Sequence, residues 1–191
     1  RRRARAGRAR RRASRSEATT REEVLAVAED AARAAGRVIA EKVGADVVQV
    51  KGHAADLLTE VDGECEEVIR RAVLSAFPGH AFLGEESAGT PEAQREAMAS
   101  PGWLWIVDPI DGTTNFVAGQ PLSAVSIGVA QDGVLQAGVI FDPFHGELFS
   151  ATLGGGARRN GAPISVSSAA AELRQAVVAS GAPPNPLSAA P

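Results

Sequence analysis

One cysteine in 191 residues leaves nothing for Cys65 to pair with inside the chain, so no internal disulfide can staple it, a usage that fits a reducing compartment. No apolar run approaches the eighteen or so residues that a membrane-spanning helix requires, and no membrane partner is expected. Only three histidines occur, and His53, His80 and His145 share no metal-ligand spacing, which argues against a zinc site. Gly154-Gly155-Gly156 is not followed by the Lys-Ser/Thr of a P-loop or built into a strand-Gly-x-Gly-x-x-Gly-helix unit, so it reads as a flexible turn. There is no internal repeat. Residues 1–16 hold nine arginines but no acid and no aromatic residue.

What is present suits one globular domain. A 45% hydrophobic composition over this length can supply one sizeable core. The net charge of −3 conceals a split, because removing the nine arginines of the start leaves −12 on the remaining residues. Residues 1–19 therefore form a basic tail, 20–181 the domain, and 182–191 a Pro/Ala-rich end. An Arg-rich, acid-free start with Ser14 and Ser16 has the composition of an organelle transit peptide, with a plastid or mitochondrion as the address. A basic arm for nucleic acid and a solvated tail are the rival readings; the first is disfavoured because no aromatic is interleaved to stack on bases.

Thr20-Arg21-Glu22-Glu23 has the form of a capping box, so the first helix is expected to begin there. Val24, Val27, Ala31, Ala34 and Val38 then recur at helical spacing through about Glu41. Val47 to Val50 reads as a strand. Val61, Cys65, Val68, Ala72 and Ala76 predict a second helix from Thr59 to just before Pro78-Gly79, with Cys65 a small core residue. Strands are expected at 81–83, 104–107, 123–130, 134–140 and 147–151, with Asp132-Gly133 as a hairpin turn. Thr152 to Pro163 reads as a loop followed by a tight turn. Helices followed by a run of strands imply a layered α/β (α+β) domain and not a repeating βαβ unit.

The most informative stretch is Trp105-Ile106-Val107-Asp108-Pro109-Ile110-Asp111-Gly112-Thr113-Thr114-Asn115-Phe116. Two carboxylates stand three residues apart, after an apolar run and before a Gly-Thr-Thr turn that can open a helix. Hard carboxylate and carbonyl oxygens suit magnesium, and amides at a helix start suit a phosphate. An Asp-Pro-x-Asp-Gly string can also be a plain turn. Two further acidic groups weigh against that reading: Gly84-Glu85-Glu86-Ser87 after a short apolar run, and Asp56-Leu57-Leu58-Thr59-Glu60-Val61-Asp62 at a helix start. Acids at strand ends and a helix start can converge at the edge of an α/β sheet.

Lys51, the 56–62 segment, Gly84-Glu85-Glu86-Ser87 and Trp105 to Phe116 resemble, in order and spacing, the inositol monophosphatase family of magnesium-dependent, lithium-sensitive phosphatases. The likeness continues through Ala124-Val125-Ser126-Ile127-Gly128-Val129, Gly154-Gly155-Gly156-Ala157 and Asn160-Gly161. It implies the N-terminal portion of an alternating helix/sheet sandwich that hydrolyses a small phosphate monoester, inositol monophosphate foremost, with Mg2+ as cofactor and assembly as a homodimer. Histidinol phosphate and sugar phosphates are alternative substrates. The resemblance assigns Glu85, Asp108, the Ile110 carbonyl and Asp111 to metal, Asp62 and Thr113 to activation of water, and Glu85, Asp111, Gly112 and Thr113 to the phosphate. Glu86 stays open between a metal role and a supporting or surface one.

The family's later Trp-Asp motif, whose Asp completes the second metal site, has no counterpart after Asn160, and the first residue is Arg1. The resemblance thus leads to the expectation that the chain is a truncated member with little activity of its own. A non-catalytic binding or regulatory protein on the same scaffold is the reading from a different class.

Overall fold

The helix expected at Thr20 is present as α1 (Arg21–Lys42), and both halves of its capping box form: the Thr20 hydroxyl accepts the Glu23 amide and the Glu23 carboxylate accepts the Thr20 amide. The computed structural model describes residues 19–50 and 57–167 together with residues 172, 174, 176 and 177. Residues 1–18, Lys51, His53, Asp56 and the Pro/Ala-rich end lie outside the described residues. After α1 comes a hairpin of β1 (Val47–Val50) and β2 (Leu57–Thr59), which runs directly into α2 (Glu60–Ala76). Next are β3 (Ala81–Gly84), α3 (Pro91–Ala99), β4 (Trp103–Asp111) and the single turn α4 (Thr113–Val117). Five strands follow: β5 (Ala124–Gln131), β6 (Val134–Asp142), β7 (Glu147–Thr152), β8 (Gly156–Arg159) and β9 (Ala162–Ile164).

Strands β3 to β9 form one seven-stranded sheet in sequence order. Only β3 and β4 run parallel, and α3 makes the crossover between them; every later pair is antiparallel, β4 and β5 being joined through α4 and the pairs after them by short turns. The Asp132-Gly133 turn has positive φ at both central residues, 51° and 76°, the geometry that matches the twist of its flanking strands.

Both long helices pack on one face of the sheet, α1 against β5, β6 and β7, α2 against β4. Alternate strand residues meet them: Trp105 and Val107, Val125, Ile127 and Val129, Val139 and Phe141, and Leu148. A fully buried Ile, Leu or Val contributes about 1.5–3 kcal/mol of transfer free energy, and Ile39, Ile69 and Leu148 are of this kind. On the opposite face Leu135 and Ile140 are exposed among the described residues.

Three expectations need correction. The buried stripe of α1 is Val24, Ala28, Ala31, Ala32, Ala35, Gly36 and Ile39, with Val27, Ala34 and Val38 on its shoulder. Small residues win because the helix lies close on the sheet: a Cβ at Gly36 would overlap the Phe141 ring. In α2 the buried line is Val61, Asp62, Cys65, Glu66, Ile69 and Val73, so two acids occupy positions that a purely apolar stripe would miss. Finally, Thr152 to Pro163 is not mainly loop, since it contains β8 and most of β9; the glycines mark the turn that folds β8 back on β7.

Candidate active site

Parallel pairing brings the first two acids together. Gly84 sits opposite Val107 in the β3/β4 register, and the Glu85 amide donates to the Val107 carbonyl at 2.9 Å. Running parallel, the two strands carry Glu85 and Asp108 just past the Gly84/Val107 pair, side by side and within hydrogen-bonding reach of each other. Asp108 to Asp111 is strand and not a free turn. Asp108 lies opposite Ser126 and Asp111 opposite Ala124, so one extra residue is accommodated across an irregularity in the ladder. Pro109 has no amide hydrogen to lose at that break, and Asp108 Oδ1 accepts the Ile110 amide at 3.1 Å across it.

The β2/α2 junction supplies the other half. Thr59 caps α2 and Asp62 closes a capping box, with its Oδ2 accepting the Thr59 amide at 2.8 Å and the Thr59 hydroxyl at 2.6 Å. Its Oδ1 faces the Thr113 hydroxyl at 3.1 Å. That hydroxyl is also 3.0 Å from the Ile110 carbonyl, and its one proton serves one acceptor at a time. Asp62 is 1% exposed, so the capping role and the contact with Thr113 belong to the same buried carboxylate.

Gly112 precedes α4 at φ 92°, and a Cβ there would lie 2.8 Å from the Leu122 carbonyl oxygen, so glycine is required twice over. The helix it opens has only five residues. The help its dipole gives an anion is accordingly that of one turn, less than the sequence suggested.

Charge is concentrated at this edge. Burial first, then the facing Glu85 carboxylate and the nearby Asp111, push Asp108 up to about 8. A carboxylate pair in that state is relieved by a proton or by a cation, and its oxygen donors are of the type magnesium takes. Among the described residues no three His, Cys, Asp or Glu side chains converge to hold a metal by themselves, so carbonyl oxygen, water or substrate oxygen must complete any shell. The donor set fits the ion on those terms. Asp111 is exposed and acts on Asp108 through its charge.

Sequence reasoning passed over Glu66, which is 5% exposed and accepts the Glu86 amide at 2.9 Å. Its signal was available: Glu66 lies four residues after Asp62, hence on the same side of α2.

Comparisons with known proteins agree in placing the likeness over most of the chain. A family model described as the inositol monophosphatase family matches residues 20–186. Inositol monophosphatase 1 of Solanum lycopersicum is 44% identical over 147 residues, covering 77% of this chain and 53% of that protein. The Nus factor SuhB of Pseudomonas aeruginosa is 42% identical over 146 residues, covering 75% of this chain and 52% of that protein. Among solved structures, the Thermotoga maritima IMPase superposes with a TM-score of 0.68 at 31% identity, over 76% of this chain and 54% of that one. The chain spans about half the length of the curated relatives it matches.

Proposed function

The chain belongs to the inositol monophosphatase family, and on that premise we propose that the protein is a magnesium-dependent phosphatase of small phosphate monoesters, inositol monophosphate foremost. The observation that carries this reading is the meeting of the Asp62–Thr113 contact and the Glu85–Asp108 pair, drawn from separate segments, at one sheet edge.

Glu85, Asp108 and the Ile110 carbonyl would hold one Mg2+, with Asp108 and Asp111 contributing to a second. Bound there, the ions supply charge neutralisation of the phosphoryl oxygens and acidification of water. The chain's own part is proton handling and placement. Thr113 passes its hydroxyl proton to Asp62 Oδ1 and can take one from a water at its free lone pair, so the pair works as a general base without a covalent enzyme intermediate. Asp62 is held for this by the two Thr59 contacts on its other oxygen. The amides of Gly112 and Thr113 bind the phosphate, and Gly112 allows the backbone to come close.

Relatives that carry the name inositol monophosphatase support inositol monophosphate over histidinol phosphate or a sugar phosphate. Assembly as a homodimer and an organelle address read from the basic start belong to the same proposal. A second reading, a binding or regulatory protein on this scaffold, draws support from the likeness to a Nus factor. The test is phosphate release from these three monoester classes by the full-length protein with Mg2+. Highest kcat/KM on inositol monophosphate is expected; no release from any of them, with a partner still bound when Asp108 is replaced by Asn, would favour the second reading.

A further inference from the structure

Glu66, Arg70 and Gly84 form a clamp on the turn that carries Glu85. Glu66 Oε2 accepts the Glu86 amide at 2.9 Å, and Oε1 accepts from the Arg70 guanidinium at 2.9 Å. Arg70 also donates to the Ser87 hydroxyl and lies 4.3 Å from the centre of the Phe82 ring on β3. The turn is therefore gripped at Glu86 and Ser87, on the C-terminal side of Glu85, while the Glu85 amide itself is tied to Val107.

Glycine at 84 makes the grip feasible. A Cβ there would overlap the Glu66 carboxylate, which lies flat against the backbone at the end of β3. Nothing in φ forces this glycine, because Gly84 is not among the positive-φ residues. Its role is to leave room for a carboxylate.

Asp62, Glu66 and Arg70 follow one another at intervals of four along α2, so one edge of one helix addresses both halves of the site. Asp62 reaches Thr113, and Glu66 reaches the Glu85 turn. We infer that Glu66 is a positioning residue: with Arg70 it fixes the 84–87 turn so that the Glu85 carboxylate stands beside Asp108, and Gly84 exists to admit it. The inference rests on the reading of Glu85 and Asp108 as metal ligands.

The test uses the full-length protein, Glu66→Gln and Gly84→Ala, with Asp108→Asn as the control for the ligand reading. Gln keeps the length of Glu66 but loses the charge that holds Arg70. Ala at 84 keeps Glu66 but displaces its carboxylate, the free end of a side chain, so the fold survives. Supporting groups of this kind are typically worth about 10–100-fold in metal affinity. Calorimetric Mn2+ binding should weaken at least about tenfold in both variants, and hydrogen exchange at the Glu86 amide should accelerate in the metal-free protein. Mn2+ affinity across the variants separates the two claims, and hydrogen exchange without metal reads the clamp directly. Wild-type Mn2+ affinity in Asp108→Asn would remove the ligand reading, whereas loss in Asp108→Asn with wild-type affinity in Glu66→Gln and Gly84→Ala would overturn the positioning role. Unchanged protection of the Glu86 amide in Glu66→Gln would overturn the clamp itself.

Discussion

The Thr113 hydroxyl lies 3.1 Å from Asp62 Oδ1, while the other oxygen of that carboxylate caps the helix on which Asp62 sits. Substitutions on the two sides of this contact should therefore separate. Thr113→Ala removes the hydroxyl and leaves the cap, so kcat should fall by about 10²–10⁴ with little change in melting temperature. Thr113→Ser should recover most of the rate. Asp62→Asn turns one of the two accepting positions into a donor, and should cost stability of about 1.5–3 kcal/mol as well as rate. A change confined to KM in Thr113→Ala would make Thr113 a substrate contact instead.

Asp108 faces Glu85 in a partly buried setting, so its charge is costly until a cation arrives. Asp108→Asn should leave the metal-free protein as stable as wild type or more so, because Asn can still accept the Ile110 amide. In wild type, Mg2+ at a hundred times its dissociation constant should add about 2.7 kcal/mol of stability. Thermal melts with and without Mg2+ should show that gain in wild type and not in the variant; an equal gain in both would remove Asp108 from the metal site.

Trp105 donates its indole N–H to His80 Nδ1 at 3.0 Å, and His80 stacks on Phe77 with ring centres 4.5 Å apart. Burial holds His80 below its ordinary value of 6.5. The unfolded chain then binds the proton first, so stability should decline as pH falls through 6.5 and level off below the native value. Protonated Nδ1 cannot accept, which leaves the Trp105 donor unpaired. Melting curves from neutral to mildly acid pH, read by tryptophan fluorescence, should show this slope flattened in His80→Gln; an identical slope would place the titration elsewhere.

Cys65 is fully buried, and burial followed by the charges of Asp62 and Glu64 pushes its thiol up to about 12. Its Sγ lies 3.7 Å from the Ala35 carbonyl oxygen, to which it donates. A thiol reagent should therefore label the native protein only as fast as it opens, with labelling accelerating in parallel with unfolding in denaturant. Fast labelling of the folded protein would contradict the burial.

The elements that carry the candidate site were largely legible because its residues cluster in motifs with strong local rules. A capping pattern predicted the start of α1, apolar spacing from Thr59 predicted α2, and the apolar run before Asp108 predicted β4. What escaped depended on tertiary partners. The crossover helix α3 went unread although Thr90-Pro91 has the form of a helix start, with the Thr90 hydroxyl accepting the Ala93 amide. The strands β8 and β9 are short and exposed, so they carry no alternation of burial to read. Glu66 shares a side of α2 with Asp62, but a charge on a helix normally faces water, and its burial follows from the approach of β3.

The most direct test of the account is phosphate release from inositol monophosphate by the purified full-length protein with Mg2+, measured beside Asp108→Asn. The account predicts magnesium-dependent release in wild type and turnover abolished in a variant whose circular dichroism and metal-free melting temperature remain those of a folded protein. Release from Asp108→Asn at the wild-type rate under the same Mg2+ would contradict it.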